Sequence, residues 1–164
     1  MMQITEPVTM LTNFALAAAS LVFAYLLARS IGPANRVSAW LWCAAFITSA
    51  IAALFGATYH GFAMYFDPDR LRSFWNIIMS ATGATASFMI AGCHAAYIKK
   101  EDGVMEYLAA GIAVTLIGVI VQATGFRHKA DFNHNDAYHI IQMLGLYLFF
   151  KAASRLRDRP GVVT

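Results

Sequence analysis

The sequence predicts an all-α integral membrane protein, a bundle of five transmembrane helices with its N-terminus outside and its C-terminus cytoplasmic. Two features of the composition lead there. The chain of 164 residues is 59% hydrophobic and 13% charged, with mean hydropathy +0.56, whereas a soluble domain is about half apolar and roughly a quarter charged. Apolar runs of the ~20-residue length that spans a bilayer core fill nearly the whole chain, so residues 1–156 read as one transmembrane domain and 157–164 as a cytoplasmic tail. A third observation supplies the orientation: Lys and Arg gather at segment ends, which also argues against nucleic acid as the partner of this +3 chain.

The first segment covers about residues 8–28. Thr5, Glu6 and Pro7 precede it as a threonine cap, an early acid and a first-turn proline. A cleaved signal peptide is disfavoured, because Glu6 and no Lys or Arg stands ahead of a run longer than a signal core. Gly32 and Pro33 mark a turn, and a second helix follows over about 38–65, ending before Asp67-Pro68-Asp69. Further helices are expected over about 74–98, 105–126 and 135–156, with a tight polar connection at Lys99 to Gly103 and a tail from Arg157 that is expected to be mobile.

Alternating the loops puts Arg29, Arg36, Lys99, Lys100, Lys151, Arg155, Arg157 and Arg159 on one side and Arg70, Arg72, Arg127 and Lys129 on the other. The richer side is cytoplasmic by the positive-inside rule, which in a bacterial inner membrane makes the other side periplasmic. Trp40, Trp42, Tyr65, Trp75, Tyr97, Tyr107 and Tyr138 lie near segment ends, as an interfacial belt requires. Cys43 and Cys93 form no CxxC or CxxCH pattern and read as packing thiols.

Polar groups inside a bilayer usually face the bundle interior, so their spacing predicts the inward face of each helix. These faces are Ser49, Ala52 or Ala53, Gly56 and His60 on the second helix; Asn76, Ser80, Gly83, Ser87 and His94 on the third; Gly111, Thr115, Gly118 and Gln122 on the fourth; and Asn135, His139 and Gln142, continuing into Leu146, on the fifth. Small residues serve close helix packing by themselves. The histidines ask for more, since the topology brings His60, His134 and His139 to one outer level, with Asp136 and Gln122 nearby. His94 falls at the opposite end, and His128 in a loop.

Imidazoles from two helices with a third donor suit zinc, whose bound water then attacks an acyl group. Asp67, Asp69 or Asp136 would serve as general base or orient a ligand. His134 and His139 stand about 140° apart on an ideal helix, so both reach one metal only if His134 sits at an uncoiled cap. A haem held axially between His60 and His139 fits the same residues.

The string Ala137-Tyr138-His139-Ile140-Ile141-Gln142-Met143-Leu144-Gly145-Leu146-Tyr147-Leu148 resembles the last transmembrane segment of the alkaline ceramidases, and Tyr59-His60 resembles a ligand-bearing segment of the superfamily they share with the adiponectin receptors. The resemblance implies a seven-helix transmembrane zinc hydrolase with three histidine ligands, a serine and an aspartate. At the corresponding positions this chain has Asn135 four residues before His139, Gly56 four before His60, and Leu71 eleven after it. The leading expectation is therefore a zinc hydrolase acting on a lipid-like amide or ester, with His60, His134 and His139 as ligands and Asp136 and Asp67 as catalytic acids or bases. The alternative is a non-enzymatic membrane subunit, haem- or pigment-binding or structural, assembled with further copies or partner subunits.

Overall fold

The computed structural model describes residues 3–98, 100–125, 127–129 and 132–158. Among them are five α-helices: α1 Pro7–Arg29, α2 Arg36–Phe62, α3 Pro68–Ala95, α4 Val104–Ala123 and α5 His134–Ala153. Helices α1 to α4 are each long and apolar enough to cross a membrane; α2 is counted there with its flanking 3-10 turns, from Pro33 to Tyr65. Helix α5 falls short of that composition, because His134, Asn135, Asp136, His139, Gln142 and Lys151 share its 20 residues.

Helix α1 packs against α2 and α5, α2 packs against α3, and α4 packs against α5. The spatial order is thus α3, α2, α1, α5, α4. The two outer members, α3 and α4, make no comparable contact with each other, so one side of the arc is open. Helix α1 is its keystone, and its buried line Thr9, Asn13, Leu16, Ala17, Ser20, Ala24 and Leu27 repeats every three or four residues, as one face of a helix must. The sequence reading gave α1 no inward face at all.

The helix starts differ from expectation for identifiable reasons. Helix α3 begins at Pro68, six residues before the expected position, because Asp67 is its N-cap: the carboxylate accepts a hydrogen bond from Arg70 N at 2.9 Å, and proline occupies the first turn. That backbone N–H holds the Asp67 carboxyl below its ordinary value of 3.8. A carboxylate depressed by folding stabilises above its unfolded pKa and loses that effect as pH falls through the folded one. Asp67→Ala is therefore expected to speed amide exchange over the first turn of α3 at neutral pH, with the difference from the native chain vanishing in acid. Helix α1 is entered through Glu6 rather than a threonine cap. The segment before it is tied down instead: Gln3 N donates to Tyr65 Oη at 2.8 Å, and Thr5 N and Glu6 N donate to the carbonyls of Gly61 and His60 at 3.0 and 3.1 Å.

Three further expectations are corrected. Trp42 is not interfacial but a core residue, 1% exposed, between Phe46 and Phe149 with Gly92 of α3 against its indole. The start of the tail is ordered, since Arg157–Asp158 pairs antiparallel with Ala96–Tyr97; residues 159–164 lie outside the described residues. Helix α3 turns its expected inward stripe outward: Asn76, Ser80, Gly83, Ser87 and His94 are exposed, and a Cβ added at Gly83 meets nothing. Its packed face is apolar, with Phe74 on Phe55 and Trp75 on Tyr59, and Thr85 hydrogen-bonds Thr48 at 2.9 Å.

Candidate functional site

Inside the arc lies a cavity of about 480 Å³ to which all five helices contribute. Its polar end is formed by His60 at the last turns of α2, Asn135, His139 and Gln142 on α5, Gln122 on α4 and Asn13 on α1. Ser49, Thr82, Thr85 and Thr115 lie deeper, among Leu16, Ile78, Met79, Met89, Leu146 and Phe149. None of the described residues lining it is Lys, Arg, Asp or Glu. The inward stripes expected for α2 and α5 line this cavity; of the α4 stripe only Thr115 and Gln122 do, while Gly111 and Gly118 pack against Phe149, Tyr138 and Ile141 of α5.

Two histidines are oriented by α1 and the cap residue before it. His60 Nδ1 lies 3.1 Å from Glu6 Oε2, an ion pair when the imidazole is protonated, with the His60 side chain only 20% exposed. His139, 8% exposed, has its Nδ1 3.1 Å from Thr12 Oγ1. A partner on Nδ1 fixes each ring and leaves Nε2 as its second polar atom. Asn13 donates from Nδ2 to Thr9 O at 3.0 Å, and its Oδ1 would lie 2.7 Å from a Cβ built on Gly56, so α1 and α2 approach closely only because Gly56 has no side chain. Thr115 Oγ1 is buried without a hydrogen-bond partner among the described residues.

Of the residues singled out from sequence, the structure brings His60 and His139 to one cavity. His134 and Asp136 do not line it. Asp136 is fully buried, and its Oδ2 accepts from Asn133 N at 2.8 Å while Asn133 Oδ1 accepts from Asn135 N at 2.8 Å, a capping box that starts α5. Asp67 is engaged at the cap of α3, paired also with Arg70 at 3.1 Å; Asp69 is 90% exposed in its side chain. Among the described residues no three His, Cys, Asp or Glu side chains converge so as to hold a metal ion, so the donor set does not fit a three-ligand zinc site. In the sequence Glu6 reads only as an early acid at a helix start, and Thr12 and Asn13 carry no role; the spacing of Thr9, Asn13 and Ser20 is the signal that marks the buried face of α1.

The fold and cavity together define an all-helical protein, four of whose helices can cross a membrane, with a polar-ended internal cavity. By residues 8–102 and 88–158 the chain matches, and belongs to, a family described as a family of unknown function, DUF6962. No curated protein matches it, and no solved structure does.

Proposed function

We propose that all five helices span the bilayer, with the Lys- and Arg-rich ends cytoplasmic, and that the cavity holds an amphiphile whose head is uncharged and hydrogen-bonding. The carrying observation is the lining: imidazole and carboxamide groups at one end, aliphatic and aromatic groups below, and no Lys, Arg, Asp or Glu among the described residues. A charged head would enter such a site without a partner, at a large desolvation cost. The unpacked side between α3 and α4 supplies a route from the lipid, so an apolar tail need not cross water.

The test is the set of small molecules that accompanies the purified protein. About one amphiphile per chain is expected in organic extracts, absent from an Ala86→Phe variant, in which a ring on the cavity-facing part of α3 occupies the space, and reduced in His139→Leu. Bulk lipid alone in all three preparations would overturn the reading.

The Glu6–His60 pair favours an enzymatic form of the same reading. A carboxylate on Nδ1 favours the tautomer with a basic Nε2, which a general base requires, and hydrolysis of a lipid-like amide or ester is the reaction such a base would assist. Fluorogenic acyl amides and esters in detergent should then be cleaved by the native chain and not by His60→Gln.

A further inference from the structure

A second cavity, of about 490 Å³, lies at the opposite end of the bundle, where the Ser30–Asn35 connection, Asp102 and the end of α5 meet. We propose that it binds a phosphoethanolamine group, the head of a zwitterionic phospholipid or its soluble counterpart. Its lining is divided between donors and acceptors. Arg155 and Arg157 are the donors, and guanidinium groups are suited to bidentate phosphate binding.

Arg155 is held in place. Its guanidinium sits 4.6 Å from the Tyr107 ring centroid, and Nη1 donates to Asp102 O at 3.3 Å. Gly103 adopts φ 62°, and a Cβ there would lie 2.9 Å from Arg155 Nη1, so the glycine serves both the left-handed turn and the approach of the arginine. Among the described residues the remaining guanidinium N–H groups have no hydrogen-bond partner and are left for a ligand.

The acceptors answer a different group. Asp102 Oδ2 is buried and has no hydrogen-bond partner among the described residues, which is costly for a carboxylate oxygen. Ser30 Oγ donates to Leu27 O at 2.8 Å and Ser154 Oγ to Lys151 O at 2.9 Å, so both hydroxyls offer the cavity oxygen lone pairs rather than protons. A simple anion would satisfy the arginines and meet repulsion from Asp102. A primary ammonium tethered to a phosphodiester satisfies both halves. Since the cavity lies at helix ends, it stands at headgroup depth in a protein that spans the bilayer, and it shares no lining residue with the histidine cavity.

The experiment measures lipid retained by the full chain in native mass spectra after exchange into detergent containing phosphatidylethanolamine, phosphatidylcholine or phosphatidylglycerol. Phosphatidylethanolamine should be retained about tenfold over phosphatidylcholine, whose trimethylated nitrogen cannot donate, a ratio expected for a charge-assisted hydrogen bond. Asp102→Asn should abolish the preference over phosphatidylglycerol while phosphate-bearing lipids are still held. Arg155→Gln and Arg157→Gln should each weaken retention of all three, and Arg29→Gln should change nothing. A parallel thermal melt with O-phosphoethanolamine separates the sources: stabilisation by it without lipid retention assigns the site to a soluble ligand. Equal retention of the three lipids with no effect of O-phosphoethanolamine, or an unaltered profile in a folded Asp102→Asn chain, would overturn the proposal.

Discussion

Trp42→Ala is expected to destabilise the protein by ~3–5 kcal/mol, the range for deleting a buried large aromatic side chain. Trp42 is among the largest fully buried side chains, and its ring centroid lies 6.1 Å from those of Phe46, one turn along α2, and Phe149 on α5. Gly92 brings α3 onto the indole so closely that a Cβ there would stand 2.6 Å from Trp42 Cδ1; with alanine at position 42 that glycine would face a void. Inside a bilayer the driving force is packing rather than exclusion of water, and lost dispersion contacts cannot be recovered by a backbone held on three sides. Trp42→Phe separates volume from polarity. The indole Nε1 is buried without a partner among the described residues, so phenylalanine removes an unsatisfied donor as well as some volume, and it is expected to cost less than about half as much as alanine. Reversible unfolding in mixed micelles, followed by near-ultraviolet circular dichroism, checks both; equal losses in the two variants would show that the indole's size is not what matters.

Trp42 also shows where the sequence misleads. A tryptophan near a segment end has the same local signature whether it lies at an interface or between two helices, and only the glycine 50 positions further on, in a different helix, decides. The stripes make the point in another way. Asn135, His139 and Gln142 have side chains that a helix cannot satisfy locally, and their face does point inward. The α3 stripe relied on small and hydroxyl-bearing residues, and those hydroxyls need no interior: Ser87 Oγ donates to Gly83 O at 2.9 Å, one turn back on its own helix. Exposing them to lipid then costs little, so the stripe carries no information about orientation. The same distinction explains the site. His60 and His139 were legible because imidazoles are rare and costly in a membrane, whereas Glu6, which holds His60, stands before the first apolar segment and looks like a solvated flank until the N-terminal strand of chain is laid along the end of α2.

Gly145→Val is expected to prise α4 from α5 and, with it, to open the histidine cavity. A Cβ at position 145 would lie 2.9 Å from Thr115 Oγ1 and 3.7 Å from the Gly111 carbonyl oxygen, so the new side chain meets both a side chain and the backbone of α4. Gly111 closes the same seam from the other side, with a Cβ there 2.7 Å from the Phe149 ring. A glycine on each helix thus lets α4 and α5 approach, as small residues do in membrane helix pairs. Valine must either rotate Thr115 or displace α4 as a body, and overpacking of this kind costs ~1–3 kcal/mol. Because α4 has its packing on α5 and no comparable contact with α3, no other described helix braces its far side against the displacement. Thr115, Gln122 and the α5 face all line the cavity, so the shift should disrupt ligand retention more than it lowers stability. Thr115→Ala in the Gly145→Val background removes the obstructing hydroxyl, and it should restore much of the stability and part of the retained amphiphile. Melting curves and extracted-ligand stoichiometry for the single and double variants measure the two effects, and a double variant no better than the single one would place the obstruction at the α4 backbone instead.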